Sequence, residues 1–238
     1  FCVSAGKGKD VGVAELLDGI AAAFPTPNDV PRTAEDGSAI NADAAGPLAA
    51  QVFKTRIDPF VARMNFVRVF SGTLKKDSSV TNLTAEKDFK VAGLNEVQGH
   101  TLNAVSEAIS GDIVALVKIE GLHVSDSIGD VKLPAIDFPR PMVGLAVEPK
   151  TTADQQKISG AFSKIVEEDQ TLYVSREAQT HEMVIHGMSD LHLQIVLERI
   201  SKRDKIGINT HTPKIAYRET ISGSAEGHYR HKKQSGGS

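Results

Sequence analysis

The rhythm of apolar positions changes twice along this chain. From Val13 to Phe24, the residues Leu16, Leu17, Ile20 and Phe24 recur at near-helical spacing, and Pro25 and Pro27 stop the pattern, so a short amphipathic helix is expected. Ahead of it, Phe1-Cys2-Val3 reads as strand and Ser4-Ala5-Gly6 leads into a polar loop. So little structure cannot bury a core, and this segment is expected to pack on something larger. Residues 29–46 carry Pro, Asp, Asn, Gly and Ala without periodicity and read as a linker. From 47 to 134 the pattern becomes short β-rich runs: 50–57, 65–71, 79–83, 89–94 and 112–119. Turn chemistry separates them at Ser71-Gly72, Lys75-Lys76-Asp77-Ser78 and Ser110-Gly111-Asp112, which predicts a small antiparallel β-barrel.

Pro134, Pro139 and Pro141 mark the second change. Residues 142–147 read as a strand, and a helix is expected over 153–168, with Thr152 and Gln155 as its capping box and Ile158, Ala161, Phe162 and Ile165 as its buried stripe. Strands over 172–176 and 182–185 follow, then a helix over 189–203 with Leu193, Val196, Leu197 and Ile200 inward. Residues 206–210 and 215–218 supply the last strand region. The order βαββαβ over 135–220 is the ferredoxin-like plan, an α+β domain with two helices on one face of a four-stranded sheet. The expected whole is therefore multi-domain, an antiparallel β-barrel followed by a ferredoxin-like domain. Residues 221–238 are polar, basic and Gly/Ser-rich.

Composition changes this picture little. At 238 residues the chain has room for two domains; it is 40% hydrophobic and 24% charged, as soluble domains are. Apolar runs such as Ile113–Val117 are far shorter than the ~20 residues of a membrane span, and no signal-peptide pattern opens the chain. A single cysteine, Cys2, cannot form an internal disulfide, which suits a reducing cytoplasm. Net charge is −3, but residues 139–238 hold 14 Lys and Arg against 12 Asp and Glu, a mild local basic bias.

Candidate chemistry is sparse. Gly6-Lys7-Gly8-Lys9 lacks the spacing and the hydroxyl of a phosphate-cradling G-x-x-x-x-G-K-[ST] loop. His181-Glu182 with His186 misses the H-E-x-x-H spacing of a zinc site by one residue, and in a strand the two histidines point to opposite faces. No catalytic constellation and no metal cluster emerge. Glu167-Glu168-Asp169 reads as a solvated helix end, poorly placed for the helix dipole. His228-Tyr229-Arg230-His231-Lys232-Lys233-Gln234 gathers three cations around an aromatic ring, a composition suited either to RNA contact or to a flexible charged tail.

Several longer stretches resemble the elongation factor G family of ribosomal translocation GTPases. They are Ala146-Val147-Glu148-Pro149-Lys150-Thr151 with Ala153-Asp154-Gln155, Gly187-Met188-Ser189-Asp190-Leu191-His192-Leu193, and Pro213 with Tyr217-Arg218-Glu219-Thr220. The barrel adds Pro47-Leu48-Ala49-Ala50, Asp58-Pro59-Phe60 and Arg68-Val69-Phe70-Ser71-Gly72-Thr73-Leu74, and the end Gln234-Ser235-Gly236-Gly237 is similar to the opening of the family's fourth domain. The resemblance implies an internal piece: residues 1–28 as the end of a GTPase domain, 47–134 and 135–220 as the second and third domains, and 221–238 as the start of the fourth. It implies that the backbone of Ser4 and Ala5 touches a guanine base, with GTP and Mg²⁺ held by residues outside this chain and no cofactor within it. It also implies a cytoplasmic, monomeric protein whose partner is the ribosome, its small-subunit RNA and proteins. The barrel would rest on that RNA, with Arg63, Arg68, Arg230, Lys232 and Lys233 as candidate contacts, and the third domain would relay nucleotide state near the fusidic acid pocket. Two segments depart from the family pattern: Lys7-Gly8-Lys9-Asp10-Val11-Gly12, and Gly121-Leu122-His123-Val124-Ser125-Asp126-Ser127, where a Thr-Gly-Asp-Thr turn is usual. These departures leave open a specialised paralogue in ribosome recycling or protection. A non-enzymatic ribosome- or RNA-binding module is the third reading.

Overall fold

The computed structural model describes residues 3–6, 9–30, 32–58 and 62–230. Phe1-Cys2, the Lys7-Gly8 pair, Pro59-Phe60, Lys232, Lys233 and the 234–237 ending lie outside these residues. Two short strands, β1 (Ser4–Gly6) and β2 (Lys9–Val11), pair antiparallel ahead of α1 (Val13–Ala23). The helix is where the apolar spacing puts it, yet it buries no residue. Leu17 and Phe24 are 59% and 68% exposed, so its apolar face has no partner among the described residues.

The segment expected to be a linker is partly folded. β3 (Arg32–Thr33) and β4 (Ala39–Ile40) form a hairpin whose turn is tied to distant chain. The Glu35 N–H donates to the Lys132 carbonyl, and the Glu35 and Lys132 side chains pair at 2.8 Å. The turn after the hairpin is fixed in the same way, with the Gly72 N–H on the Asp43 carbonyl and the Thr73 hydroxyl on the Ala44 carbonyl, both at 2.7 Å. Lack of hydrophobic periodicity hides such a segment, because its order comes from backbone hydrogen bonds to residues far along the chain.

The next ten strands are β5 (Ala49–Asp58), β6 (Ala62–Ser71), β7 (Thr73–Lys75), β8 (Ser79–Asn82), β9 (Lys87–Lys90), β10 (Leu94–Gln98), β11 (Thr101–Ala104), β12 (Glu107–Ile109), β13 (Ile113–Val117) and β14 (Ser127–Gly129). Eight of them form one antiparallel sheet in the order β11-β10-β13-β6-β5-β14-β8-β9, and β7 pairs with β12. Their inward residues meet in a single core that includes Val52, Val67, Leu74, Leu94, Leu116 and Ile128. The module is antiparallel and sheet-rich as expected, although its main hydrogen-bonded ladder is not closed edge to edge. The run expected as one strand over 89–94 is instead two, β9 and β10, with a break at Val91–Gly93. β10 and β11 escape the apolar pattern because their exposed positions are polar and their buried face is narrow.

A β-bulge in β5 decides which face its outer half presents. Val52 faces Val67 and Lys54 faces Phe66, so Phe53 is the extra residue. Simple alternation from the buried Val52 would send Lys54 inward; the bulge resets the phase, leaving Lys54 and Arg56 exposed and Thr55 buried.

The final module is β15 (Val143–Pro149), α2 (Thr152–Glu168), β16 (Tyr173–Arg176), β17 (Met183–Gly187), α3 (Asp190–Asp204) and β18 (Ile208–His211). Its sheet order is β16-β17-β15-β18, antiparallel throughout, and the two helices cover one face, as the ferredoxin-like plan requires. The N-cap of α2 is Thr151 and not Thr152. Its hydroxyl oxygen accepts from the Asp154 N–H and its hydroxyl hydrogen bonds the Asp154 carboxylate, a capping box one residue earlier than expected. The expected strand over 215–218 does not form: Ile215 and Tyr217 are 71% and 81% exposed, and the last paired residue is His211. Ile185, Leu193, Ile200 and Ile206 are fully buried in the core.

Gly72 turns the chain at φ +75°, and a Cβ there would sit 2.7 Å from Leu48 Cα. Gly72→Ala is therefore expected to cost about 1–3 kcal/mol, from left-handed strain plus backbone overlap. Urea unfolding of the two chains checks it, and an unchanged midpoint would remove this turn as a constraint.

Candidate functional site: the junction of the two modules

The two modules meet where the C-terminal end of α2 lies against β5 and β6. The acidic run Glu167-Glu168-Asp169 ends that helix, a place where negative charge opposes the helix dipole. Far from being a solvated end, each carboxylate has its own partner. Glu167 pairs with Arg63 of β6, whose guanidinium also donates to the Leu122 carbonyl. Glu168 accepts from the Ile57 N–H of β5 at 2.8 Å and from Arg203 Nη1 of α3 at 2.9 Å. Asp169 Oδ2 bonds His192 Nε2 at 3.0 Å, while its Oδ1 accepts from the Thr171 N–H and hydroxyl. The Met188 N–H donates to His192 Nδ1, so the ring proton sits on Nε2 and points at Asp169.

Burial makes this clasp matter. The Glu168 and Arg203 side chains are 12% and 18% exposed, and Arg203 Nε also bonds Asp204. Burial opposes the charge on Arg203, but hydrogen bonds to Asp204 and Glu168 outweigh it and raise its pKa above the usual value. Burial likewise acts against the charged form of Asp169, and the hydrogen bonds from Thr171 and His192 overcome it, holding its pKa below the ordinary carboxylate range.

A cleft of about 510 Å³ opens beside the clasp. One wall carries Lys54 and Arg56, same-face neighbours on β5 that the bulge turned outward; the other carries Arg199 and Arg203, one helical turn apart on α3. Arg56 and Arg199 are exposed and form no ion pair among the described residues, so the cleft offers cations from both modules. None of Lys54, Arg56 or Arg199 stood out in the sequence, because the two walls lie more than a hundred residues apart. The one usable signal was the improbable acid run at a helix C-terminus, which demands basic partners.

The residues expected to form sites are scattered. Ser4 and Ala5 lie in the β1–β2 pair, and Ser4 is exposed. Arg63 belongs to the clasp, whereas Arg68 lies elsewhere on β6, its guanidinium carbon 5.7 Å from the centre of the Phe70 ring. Arg230 is exposed near the end of the described chain. The departing segment Gly121–Ser127 is built around Asp126, which accepts from Asn82 Nδ2 at 2.7 Å and from the His123 N–H at 2.9 Å. Glu182 sits against His211 Nε2 and the Lys214 N–H, both at 2.9 Å, binding β18 and the exit segment to β17. Among the described residues no three His, Cys, Asp or Glu side chains form a metal-holding group, and no helix is long and apolar enough to cross a membrane.

Two family descriptions match the chain in order: Elongation factor G domain 2 over residues 47–131, and Elongation Factor G, domain III, over residues 138–212. The curated elongation factor G of Orientia tsutsugamushi (strain Boryong) is 38% identical over 249 residues, and that of Mycoplasma pneumoniae is 39% identical over 246, each alignment taking in 100% of this chain. This chain belongs to the elongation factor G family. It spans about a third of those relatives, 35% and 36% of their lengths. A crystal structure from Thermus thermophilus superposes with a TM-score of 0.71 at 28% identity, covering 86% of this chain and 30% of that one. In this member of the elongation factor G family, the domain 2 match ends at 131 and the domain III match begins at 138. The clasp therefore joins the two matched regions.

Two outcomes are expected. Glu168→Ala removes one of the two carboxylates on the half-buried Arg203, which keeps only Asp204, and leaves the Ile57 N–H unbonded, a loss of roughly 2 kcal/mol in urea unfolding. The same variant is expected to broaden the small-angle scattering envelope as the modules loosen. Glu182, held down to about 2 by His211 and the Lys214 amide, contributes stability that is complete above the ordinary value of 4.5 and fades as pH falls toward 2. The stability difference between the unaltered chain and Glu182→Gln should thus shrink from pH 4.5 to pH 2. A constant difference across that window would remove the charge as its cause.

Proposed function

We propose that this chain is the middle portion of a translational GTPase that drives GTP-dependent movement of tRNA and messenger RNA on the ribosome. The observation that carries this reading is the ordered pair of elongation factor G domains, 2 then III, joined by the Arg63–Glu167 ion pair and the Ile57 N–H to Glu168 hydrogen bond. In this reading the first module acts as a closed β-barrel resting on small-subunit RNA. The second relays the nucleotide state to the parts that reach tRNA. A firm joint between them is what a mechanical relay needs, since a loose one would dissipate the displacement it must pass on.

The residues present do not fit the phosphates and magnesium of GTP. The sequence holds no G-x-x-x-x-G-K-[ST], and at most the backbone of Ser4 and Ala5 would meet a guanine base. No step of hydrolysis is derived from this chain. Its own residues transmit. Arg63, Glu167, Glu168 and Arg203 hold the angle, while Lys54, Arg56, Arg199 and the exposed Arg230 present positive charge to RNA phosphates. The protein would work in the cytoplasm as a monomer.

A second reading has an observation of its own. The segment Gly121–Ser127 replaces the family's usual turn and lines a hollow of about 200 Å³ beside the Arg63–Glu167 pair. A change at the joint favours a specialised paralogue, active in recycling or protection of ribosomes, whose relay ends in a different movement.

The test uses the full-length protein, GTP and pre-translocation ribosomes, with peptidyl-tRNA reactivity toward puromycin as the readout. Rapid GTP-dependent reactivity is expected, with Glu168→Ala slowing it about tenfold or more while ribosome-stimulated GTP hydrolysis persists. Hydrolysis without puromycin reactivity selects the paralogue. No ribosome-stimulated hydrolysis at all would sink both readings.

A further inference from the structure

We propose that a small hollow between the β3–β4 hairpin and β6, away from the clasp, is a seat for a single phosphate group. Arg32 and Arg68 flank one aromatic ring there, their guanidinium carbons 5.6 and 5.7 Å from the centre of Phe70. The hollow has a volume of about 70 Å³ and apolar walls that include Pro25, Pro27 and Val30.

Three observations point to an anion. First, Arg68 Nε is buried and has no hydrogen-bond partner among the described residues, an arrangement that costs free energy unless a ligand or water completes it. Second, no carboxylate lines the hollow, and neither arginine forms an ion pair among the described residues. Neighbouring acids are engaged elsewhere: Asp29 accepts from the Thr26 N–H and hydroxyl, Glu35 pairs with Lys132, and Asp112, beside the lining residue Gly111, accepts from the Ile109 N–H. Third, both arginines line the hollow as well as the Phe70 ring, so an oxyanion seated there would meet cations from two segments of the chain. The forked donors of arginine suit phosphate, and the apolar walls strengthen the attraction by lowering the local dielectric.

Size sets the class of ligand. A hollow of about 70 Å³ has room for a few waters or one tetrahedral anion. The group recognised is thus a phosphate alone, either free or carried on an RNA backbone that runs over the rim. Because β3 belongs to the connecting segment and β6 to the first module, a bound phosphate would also pin the one to the other.

The experiment needs no ribosome, so its failure is separate from failure of the translational reading. The 238-residue chain is melted in rising inorganic phosphate against chloride at matched ionic strength. A saturable rise in Tm is expected. Arg32→Gln and Arg68→Gln should each weaken it roughly tenfold, the loss of about one charge-assisted hydrogen bond, while Lys164→Gln, at an exposed position of α2 outside both cation groups, leaves it unchanged. Arg68→Lys keeps charge and stem but not the fork, and is expected to fold normally and still bind weakly. A labelled oligouridylate then separates the sources. Binding that phosphate competes away and both variants weaken assigns the seat to the RNA backbone, and oligouridylate that leaves the phosphate effect untouched assigns it to free phosphate. No phosphate-dependent shift, or a shift that survives both substitutions, overturns the proposal.

Discussion

The structure turns on a carboxylate placed where a helix least tolerates it. Glu168 ends α2, yet it is held by a backbone amide of the first module and by an arginine of the second module's other helix. Each partner satisfies a different oxygen of this half-buried carboxylate, so losing either leaves its charge less well matched. Through them the end of α2, the edge of β5 and the last turn of α3 are fixed together. Glu167 and Asp169 extend the same point outward, one to Arg63 of the barrel-like module and the other to His192 at the start of α3.

That joint also organises the electrostatic surface. The net charge of −3 hides a local concentration of cations beside the clasp. Arg203 serves both roles, since it neutralises Glu168 and Asp204 while lining the cleft. A polyanion entering there would meet charge from both modules at once, and its grip would depend on the angle that Glu168 maintains. The joint and the cationic cleft thus share one residue cluster.

The secondary elements were legible wherever a single periodicity prevailed. α1, α2, α3 and the β15–β17 core all follow apolar spacing, and longer motifs such as Gly187–Leu193 are sufficient to indicate the family. Legibility failed where patterns are short or mixed. The β3–β4 and β10–β11 hairpins are local pairings with few buried apolar positions to mark them, and the three-residue β14 is held by β5, distant in the chain. Thr151 displaced Thr152 as cap because the hydroxyl must lie one residue before the first helical position to reach the Asp154 N–H.

By itself the sequence determined the element types, the order of the two modules, the buried stripes of the helices and the family, because each rests on local spacing or on contiguous motifs. Only the tertiary structure decided the rest. The bulge at Phe53 turned Lys54 and Arg56 outward against simple alternation. The meeting of α2 with β5 converted an apparently solvated acid run into the joint of the molecule. Arg32 and Arg68 reached the same ring from 36 positions apart. Charge pairs and bulges depend on which surfaces come within a few ångströms of each other, and no linear pattern encodes that distance.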